Sequence, residues 1–597
     1  MADLIGSGDI LAAIARGGVA GGRAGAGRSR FGAADHGQAG AAAYLPSIDA
    51  PMGTELDDYL TGDADDNSLY GEGGDDVLEG LGGDDLLDGG DGYDVASYAH
   101  APGSVSVSLA IIGPQDTGSA GTDTLVGIED LFGSAFNDVL IGDSGGNQID
   151  GGAGADWMAG GAGDDLYLVD DAGDVVVEKR LSGGLDSVAS AISYSLGGKG
   201  VEILGLLGTA DINATGNGYD NLIVGNAGDN IINGGRGADL MAGGAGDDIF
   251  YVDDIGDLMV EQPGEGVDEV RTRTDSYFLP EEVENLRGLS AAGQLLVGND
   301  GSNIVTGHRG DDWIDGWYGA DTMIGGKGND RYFVDDAGDL VVERVNHGID
   351  VVTTTLAVYR LTGNVEGLEA WDDGAHQFTG NARANSIVGG AGNDVLDGGG
   401  GADVLVGGAG DDIYYVADAG DVVIEEADGG SDLVYSSVSF DLRGTEVEAV
   451  YLIGSRAIAA MGTDGDDRIT GNLGDNLLWG GAGNDLLAGR HGADLFLFDT
   501  ALGANNVDSI ADFLVGVDGI GLSETIFAAA GPIGVLAAGA FQTGAVATEA
   551  DDRILYDGAS GAIYYDADGH GAGDAVLFAQ VTAGTALTHA DFVVVVG

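Results

Sequence analysis

The sequence predicts an all-β fold: parallel β-roll segments in tandem, linked by further β structure. Three observations point there. A nine-residue pattern, G-G-x-G-x-D-x-U-x with U a large apolar residue, recurs in phase. Gly71-Glu-Gly-Gly-Asp-Asp76-Val-Leu78-Glu79 is followed directly by Gly80-Leu-Gly-Gly-Asp-Asp85-Leu-Leu87-Asp88. Glycine supplies 114 of 597 residues and proline only 7, which suits β architecture turned by glycine and not collagen. A longer period of 82–83 residues runs from 169 to 497. Repeats of this kind stack and bury a continuous core that no unit could bury alone.

Each nonapeptide divides into a turn and a strand. Glycine lets the first six residues turn tightly, because it alone enters positive φ without strain. The last three form a short strand with U pointing inward, so two nonapeptides make one 18-residue turn of a roll. The first block starts at Gly53, Gly62, Gly71, Gly80 and Gly89, with position-six residues Asp58, Asn67, Asp76, Asp85 and Asp94. Five later blocks begin at Gly133, Gly216, Gly298, Gly380 and Gly462. Their position-six residues are Asp138, Asn147, Asp156, Asp165; Asn221, Asn230, Asp239, Asp248; Asn303, Asp312, Asp321, Asp330; Asn385, Asp394, Asp403, Asp412; and Asp467, Asn476, Asp485, Asp494. A disordered glycine linker would not place an apolar residue two after every such side chain. The inward residue of the last repeat in each later block is aromatic: Tyr167, Phe250, Tyr332, Tyr414 and Phe496. These read as plugs that close each segment.

A loop of backbone carbonyls plus one carboxylate suits calcium, which takes about six to eight oxygens at roughly 2.3–2.6 Å. All position-six residues are therefore candidate metal ligands, asparagine through its carbonyl oxygen. One ion shared between repeats n and n+2 gives roughly thirteen ions. Without them, stacked carboxylates repel and glycine entropy opposes ordering, so metal binding is expected to drive folding.

The pattern is that of the repeats-in-toxin (RTX) proteins, which the chain resembles over 53–597. After Phe496 the nine-residue phase stops. Asn506-Val-Asp508-Ser-Ile510-Ala-Asp512-Phe513-Leu-Val-Gly516-Val-Asp518-Gly-Ile520-Gly-Leu522-Ser523 resembles the D-x-I-x-D-F-x-x-G-x-D-x-I-x-L-S segment of serralysin-type C-terminal regions. In that family the region caps the roll and carries an uncleaved signal for type I secretion. The resemblance implies the type I secretion machinery as a partner and an extracellular or cell-surface location. It does not identify an effector activity.

The long units open at Val169-Asp-Asp-Ala-Gly-Asp174, Val252-Asp-Asp-Ile-Gly-Asp257, Val334-Asp-Asp-Ala-Gly-Asp339 and Val416-Ala-Asp-Ala-Gly-Asp421. Glu178, Glu261, Glu343 and Glu425 follow, then Gly184-x-Asp186-x-Val188, Gly266-x-Asp268-x-Val270, Gly348-x-Asp350-x-Val352 and Gly430-x-Asp432-x-Val434. These acids read as turn and solvent-face residues, with ligation as the alternative. The organisation is an Ala/Gly-rich leader at 1–52, two roll blocks with an intervening β segment at 53–168, four long repeats at 169–497 and a cap with secretion signal at 498–597.

Charge and composition bound the function. Acids outnumber bases 100 to 22, so phosphate is repelled and nucleic acid is excluded as a partner. Cysteine is absent, which suits an exported protein stapled by metal or a reduced compartment. No apolar run is long enough for a transmembrane segment, and the start, Met1-Ala-Asp-Leu-Ile, lacks the features of an N-terminal signal peptide. Gly142-Asp-Ser144-Gly-Gly146 matches a serine-nucleophile pattern but is an in-register nonapeptide, and no histidine falls in an H-E-x-x-H motif. Asp566-Ala-Asp568-Gly569 resembles the start of an EF-hand loop, yet Ala575 stands where its glutamate belongs, so a hairpin turn is the better reading. The sequence thus reads as a secreted calcium-folded protein with a structural or adhesive role, self-assembling or binding cell-surface polysaccharide. A polysaccharide-active enzyme, or an accessory module of one, is the alternative, weakened by the scarcity of Lys and His.

Overall fold

The computed structural model describes residues 51–179, 184–426, 429–570 and 573–596. The leader expected at 1–52 therefore lies almost wholly outside the described residues. The chain forms two compact units, one reaching His308 together with Trp317–Asp321 and the other holding Arg309–Gly316 and Thr322 onward.

In the first unit, alternate strands go to alternate walls. One wall is an eleven-stranded parallel sheet: Tyr59–Thr61, Val77–Glu79, Val95–Ser97, Asp130–Phe132, Gln148–Asp150, Leu166–Val169, Ser187–Ser190, Ile203–Leu206, Leu222–Val224, Leu240–Ala242 and Leu258–Met259. Leu60 lies opposite Leu78, one 18-residue coil on. Strands between these in sequence form three further sheets, to which Ser68–Tyr70, Trp157–Ala159 and Ile249–Val252 respectively belong. The pleat sends the middle residue of each three-residue strand inward. Leu60, Leu78, Leu131, Ile149, Leu204, Ile223 and Met241 consequently stack as one fully buried column. Each such side chain contributes about 1.5–3 kcal/mol by leaving water.

The second unit repeats the arrangement. Strands Trp313–Asp315, Arg331–Val334, Val351–Thr354, Gly367–Ala370, Ser386–Gly390, Val404–Gly408 and Val422–Ile424 pair in parallel succession. At its C-terminal end, Val576–Val581 pairs with Asp508–Ile510, and Phe592–Val595 with Gly519–Ser523, both in parallel. Ala562–Tyr565 and Val576–Val581 pair antiparallel, so Asp566-Ala-Asp568-Gly569 lies in the connection of a hairpin. Phe527, Phe578 and Phe498 form a chain of edge-on aromatic contacts, with centroids 5.0 and 5.1 Å apart, beneath this region.

The reading of the terminal aromatics as plugs is corrected. Tyr167 is paired on one side with Ile149 and on the other with Val188, and Phe250 with Ile232 and Val270. The coil does not close at an aromatic; it continues through the sequence between blocks. What changes there is loop length: inward residues follow at Val188, Leu204 and Ile223 instead of at steps of 18.

Candidate metal centres

All twenty-five position-six residues are buried. They form a ladder along the coil edge, in which the backbone N–H of one donates to the side-chain oxygen of its counterpart one coil later. Asp58 donates to Asp76 Oδ1 at 2.7 Å and Asp76 to Asp94 Oδ1 at 2.8 Å. Asn67 donates to Asp85, Asp138 to Asp156, Asn147 to Asp165 and Asn221 to Asp239, all at 2.7–2.8 Å. The same bond joins Asn230–Asp248, Asn303–Asp321, Asp312–Asp330, Asn385–Asp403, Asp394–Asp412, Asp467–Asp485 and Asn476–Asp494. The structure thus brings together every n/n+2 pair expected from sequence.

The loops come in two states, and position two of the nonapeptide separates them. In the first, the position-two N–H donates to the position-six side chain of its own loop. Thr54 donates to Asp58 Oδ2 and Thr463 to Asp467 Oδ2, both at 2.6 Å. Asn217 does the same to Asn221 Oδ1 at 2.9 Å, and Asn381 to Asn385 Oδ1 at 2.8 Å. Asparagine in these loops also spends its amide nitrogen inside the protein. Asn230 Nδ2 donates to Ile212 O at 2.7 Å and Asn385 Nδ2 to Val365 O at 3.0 Å.

In the second state, position two is left-handed and its N–H turns away. Glu72 and Leu81 have φ of 70°, Arg490 of 67°, and Gly399 and Gly481 of 85° and 97°. Oδ2 of Asp76, Asp85, Asp94, Asp156, Asp165, Asp239, Asp248, Asp330, Asp394, Asp403, Asp412 and Asp485 then has no hydrogen-bond partner. Around it lie backbone carbonyls. A β-carbon on Gly71 would be driven into both Asp76 Oδ2 and Gly89 O, and one on Gly53 into Gly71 O. An anionic oxygen beside carbonyls, with no N–H nearby, repels its surroundings unless a cation joins them. Burial raises Asp76, Asp85, Asp156, Asp248 and Asp330 each to about 7, against the stabilising N–H bond and with help from neighbouring carboxylates. The residues present therefore fit a bound divalent cation of oxygen preference.

The ladder extends beyond the nonapeptides, which the sequence reading missed. Asp165 donates its N–H to Asp186 Oδ1 at 3.0 Å, and Asp186 to Glu202 Oε2 at 3.1 Å. Asp330–Asp350–Glu366 and Asp412–Asp432–Glu448 repeat the sequence of bonds. Glu178, Glu261, Glu343, Asp186, Asp268, Asp350 and Asp432 are buried, so reading the recurring acids as solvent-face residues is corrected. The signal was present: Asp186-x-Val188 keeps the spacing from position six to the inward residue, without the glycine run of the nonapeptides.

A family model described as the RTX calcium-binding nonapeptide repeat, in four copies, matches residues 52–87, 61–96, 132–167, 215–250, 297–332, 379–414 and 461–496. The six blocks are RTX repeats. No curated protein matches the chain. The RTX match ends at Tyr167, Phe250, Tyr332, Tyr414 and Phe496 in the later blocks. The parallel pairing runs on past each of these residues. The intervening coils are thus structural continuations of the RTX rolls with different loops. Among the described residues no helix is long and apolar enough to cross a membrane.

Proposed function

We propose that the chain is a secreted calcium-binding protein that folds on export and serves a structural or adhesive role at the cell surface. The observation that carries this is the row of buried, unpartnered aspartate oxygens among carbonyls, repeated along both units. A protein so built stays unfolded where calcium is scarce and folds where it is plentiful, which suits passage through a secretion channel. The proposed ligands are the twenty-five position-six residues, in roughly thirteen pairs. Those in left-handed loops depend on the ion most, and the asparagines least. The serralysin-like segment around Asp508, Asp512 and Asp518 supports export by type I machinery. The test is expression of the full chain and of a truncation lacking residues from Asp551 onward, with the culture medium assayed for both. Retention of only the truncated chain in the cell supports the proposal; equal export refutes that part of it. Microscopy of the exported chain with and without millimolar calcium addresses the structural role, for which ordered sheets or filaments are the expected form.

A second reading, an accessory module for polysaccharide, is favoured by one surface. Tyr415, Tyr435 and Tyr451 lie side by side on adjacent strands, with centroids 5.3 and 5.7 Å apart. The Arg468 and Arg490 guanidinium groups each stand 5.6 Å from the Tyr451 ring. Retention of the calcium-loaded chain on an anionic polysaccharide, lost on replacing both arginines, is the outcome that reading requires.

A further inference from the structure

We propose that the RTX blocks ending in tyrosine carry an additional calcium site just beyond the nonapeptides, and that tyrosine or phenylalanine at this position decides whether the site exists. The inference rests on the calcium reading above and extends it to residues outside the repeat. Three clusters define it: Asp165, Glu178 and Asp186; Asp330, Glu343 and Asp350; and Asp412, Glu425 and Asp432. In each, one ligand oxygen from every residue lies within 4.8 Å of the others.

A group of acids alone would not make a site. The second observation is the oxygen aimed into each group. Asp330 is 2% exposed, its Oδ1 accepts the Asp312 N–H at 2.8 Å, and its Oδ2 has no hydrogen-bond partner. That Oδ2 and the Tyr332 hydroxyl both face the α-carbon of Gly325. Asp165 and Asp412 have the same unpartnered oxygen, and in the third cluster neither Tyr414 Oη nor either Glu425 oxygen has a hydrogen-bond partner. Three carboxylates and a neutral hydroxyl converge where the nonapeptide loop brings two carboxylates at most. Calcium accepts such a hard, all-oxygen set.

The tyrosine explains why the glutamate is there. The Gly325 N–H donates to Tyr332 Oη at 2.7 Å, and Tyr332 in turn donates to Glu343. Tyr167 stands likewise between Gly160 and Glu178. Where the block ends in Phe250 there is no hydroxyl, and the glycine N–H must find another acceptor. Glu261 supplies it, with Oε1 2.7 Å from Gly243 N. After Phe496 it is Asp512, whose two oxygens accept the Gly489 and Arg490 N–H groups, each at 2.8 Å. In the first two clusters tyrosine therefore takes over the glycine N–H and leaves the glutamate beside the aspartates. Phenylalanine leaves the glycine N–H to Oε1 of Glu261 or to Asp512, and although Oε2 of Glu261 has no hydrogen-bond partner, no such three-carboxylate cluster forms there among the described residues.

The test counts calcium bound by the full chain, by displacement from a chromophoric chelator. The triple variant E178Q/E343Q/E425Q is expected to bind three fewer equivalents than the parent, and Phe250→Tyr one more, with β content at saturating calcium unchanged. Equal counts in all three proteins overturn the inference while leaving the nonapeptide sites intact. If the triple variant does not reach the parent's β content, Tyr332→Phe, which keeps every charge, is counted instead: one equivalent lost supports the inference and none lost overturns it. A parent chain that binds no calcium overturns the calcium reading and this inference with it.

Discussion

The backbone N–H of Thr463 lies 2.6 Å from Asp467 Oδ2, so this aspartate is satisfied within its own loop. One coil later Asp485 accepts the Asp467 N–H through Oδ1, and its Oδ2 has no hydrogen-bond partner because Gly481 is left-handed at φ 97°. Two aspartates in one column of one block thus make different demands on a cation. Asp485→Asn is expected to weaken calcium binding at its coil several-fold, whereas Asp467→Asn has little effect. Hydrogen exchange of the 462–497 block at intermediate calcium distinguishes them, and identical protection in both variants would contradict the two-state description of the loops.

Asp403→Ala removes both a proposed ligand and the acceptor of the Asn385 N–H, 2.8 Å away. An orphaned buried donor costs roughly 1–3 kcal/mol before any lost ion is counted. Coupling in a solenoid runs mainly between neighbours. Protease sensitivity should therefore appear near 380–415 at intermediate calcium while 53–97 stays protected. Uniform loss along the chain would mean a single cooperative unit.

Calcium should fold the chain from a largely disordered state in chelator, with midpoints around 10⁻⁴–10⁻³ M, as for extracellular modules. Magnesium should not substitute, since it requires octahedral geometry at roughly 2.0–2.1 Å and sheds water reluctantly. A far-ultraviolet dichroism titration with each metal measures both. Equal β signal in excess chelator, or equal response to magnesium, would count against carbonyl-lined calcium loops.

Acid should partly replace calcium. Burial raises Asp76, Asp85 and Asp156 from 3.8 to about 7 in the metal-free fold. A carboxyl with a raised folded-state pKa holds its proton in the native chain and releases it on unfolding. Its contribution is complete below the unfolded pKa and lost as pH rises through the folded one. In chelator, β content should therefore increase as pH falls from about 8 toward about 5. Dichroism across this range decides, and a flat or falling signal would refute the argument.

Leu81 holds φ 70° at position two of its loop, where most of the other left-handed residues at that position are glycine. The left-handed region costs a leucine roughly 1–2 kcal/mol. Glycine relieves that at an entropic cost of roughly 0.5–1 kcal/mol. Leu81→Gly should accordingly raise stability in calcium by up to about 1 kcal/mol, seen as a higher midpoint in guanidinium unfolding. A lower midpoint would show that the half-buried leucine contributes more through packing than its backbone strain removes.

The nine-residue spacing by itself determined the coil. Once glycine turns and inward residues recur in phase, as in Leu69, Leu78 and Leu87, strand length and parallel pairing follow from the two-residue pleat. The same spacing also determined which aspartates meet across a coil, because 18 residues return the chain to the same edge. Three things required the tertiary structure. The coil's continuation past Tyr167 and Phe250 was hidden by loops of irregular length, whose burial only the stacked neighbours reveal. The fate of Glu178 and Glu343 depends on a tyrosine hydroxyl 11 residues earlier in sequence and adjacent only in the folded edge. The division between loops whose position-six oxygen is satisfied internally and loops whose Oδ2 has no hydrogen-bond partner turns on one φ angle at position two. Serine, threonine and asparagine there keep the N–H on the position-six side chain, while the left-handed turn withdraws it, and only the folded backbone shows which way that N–H points.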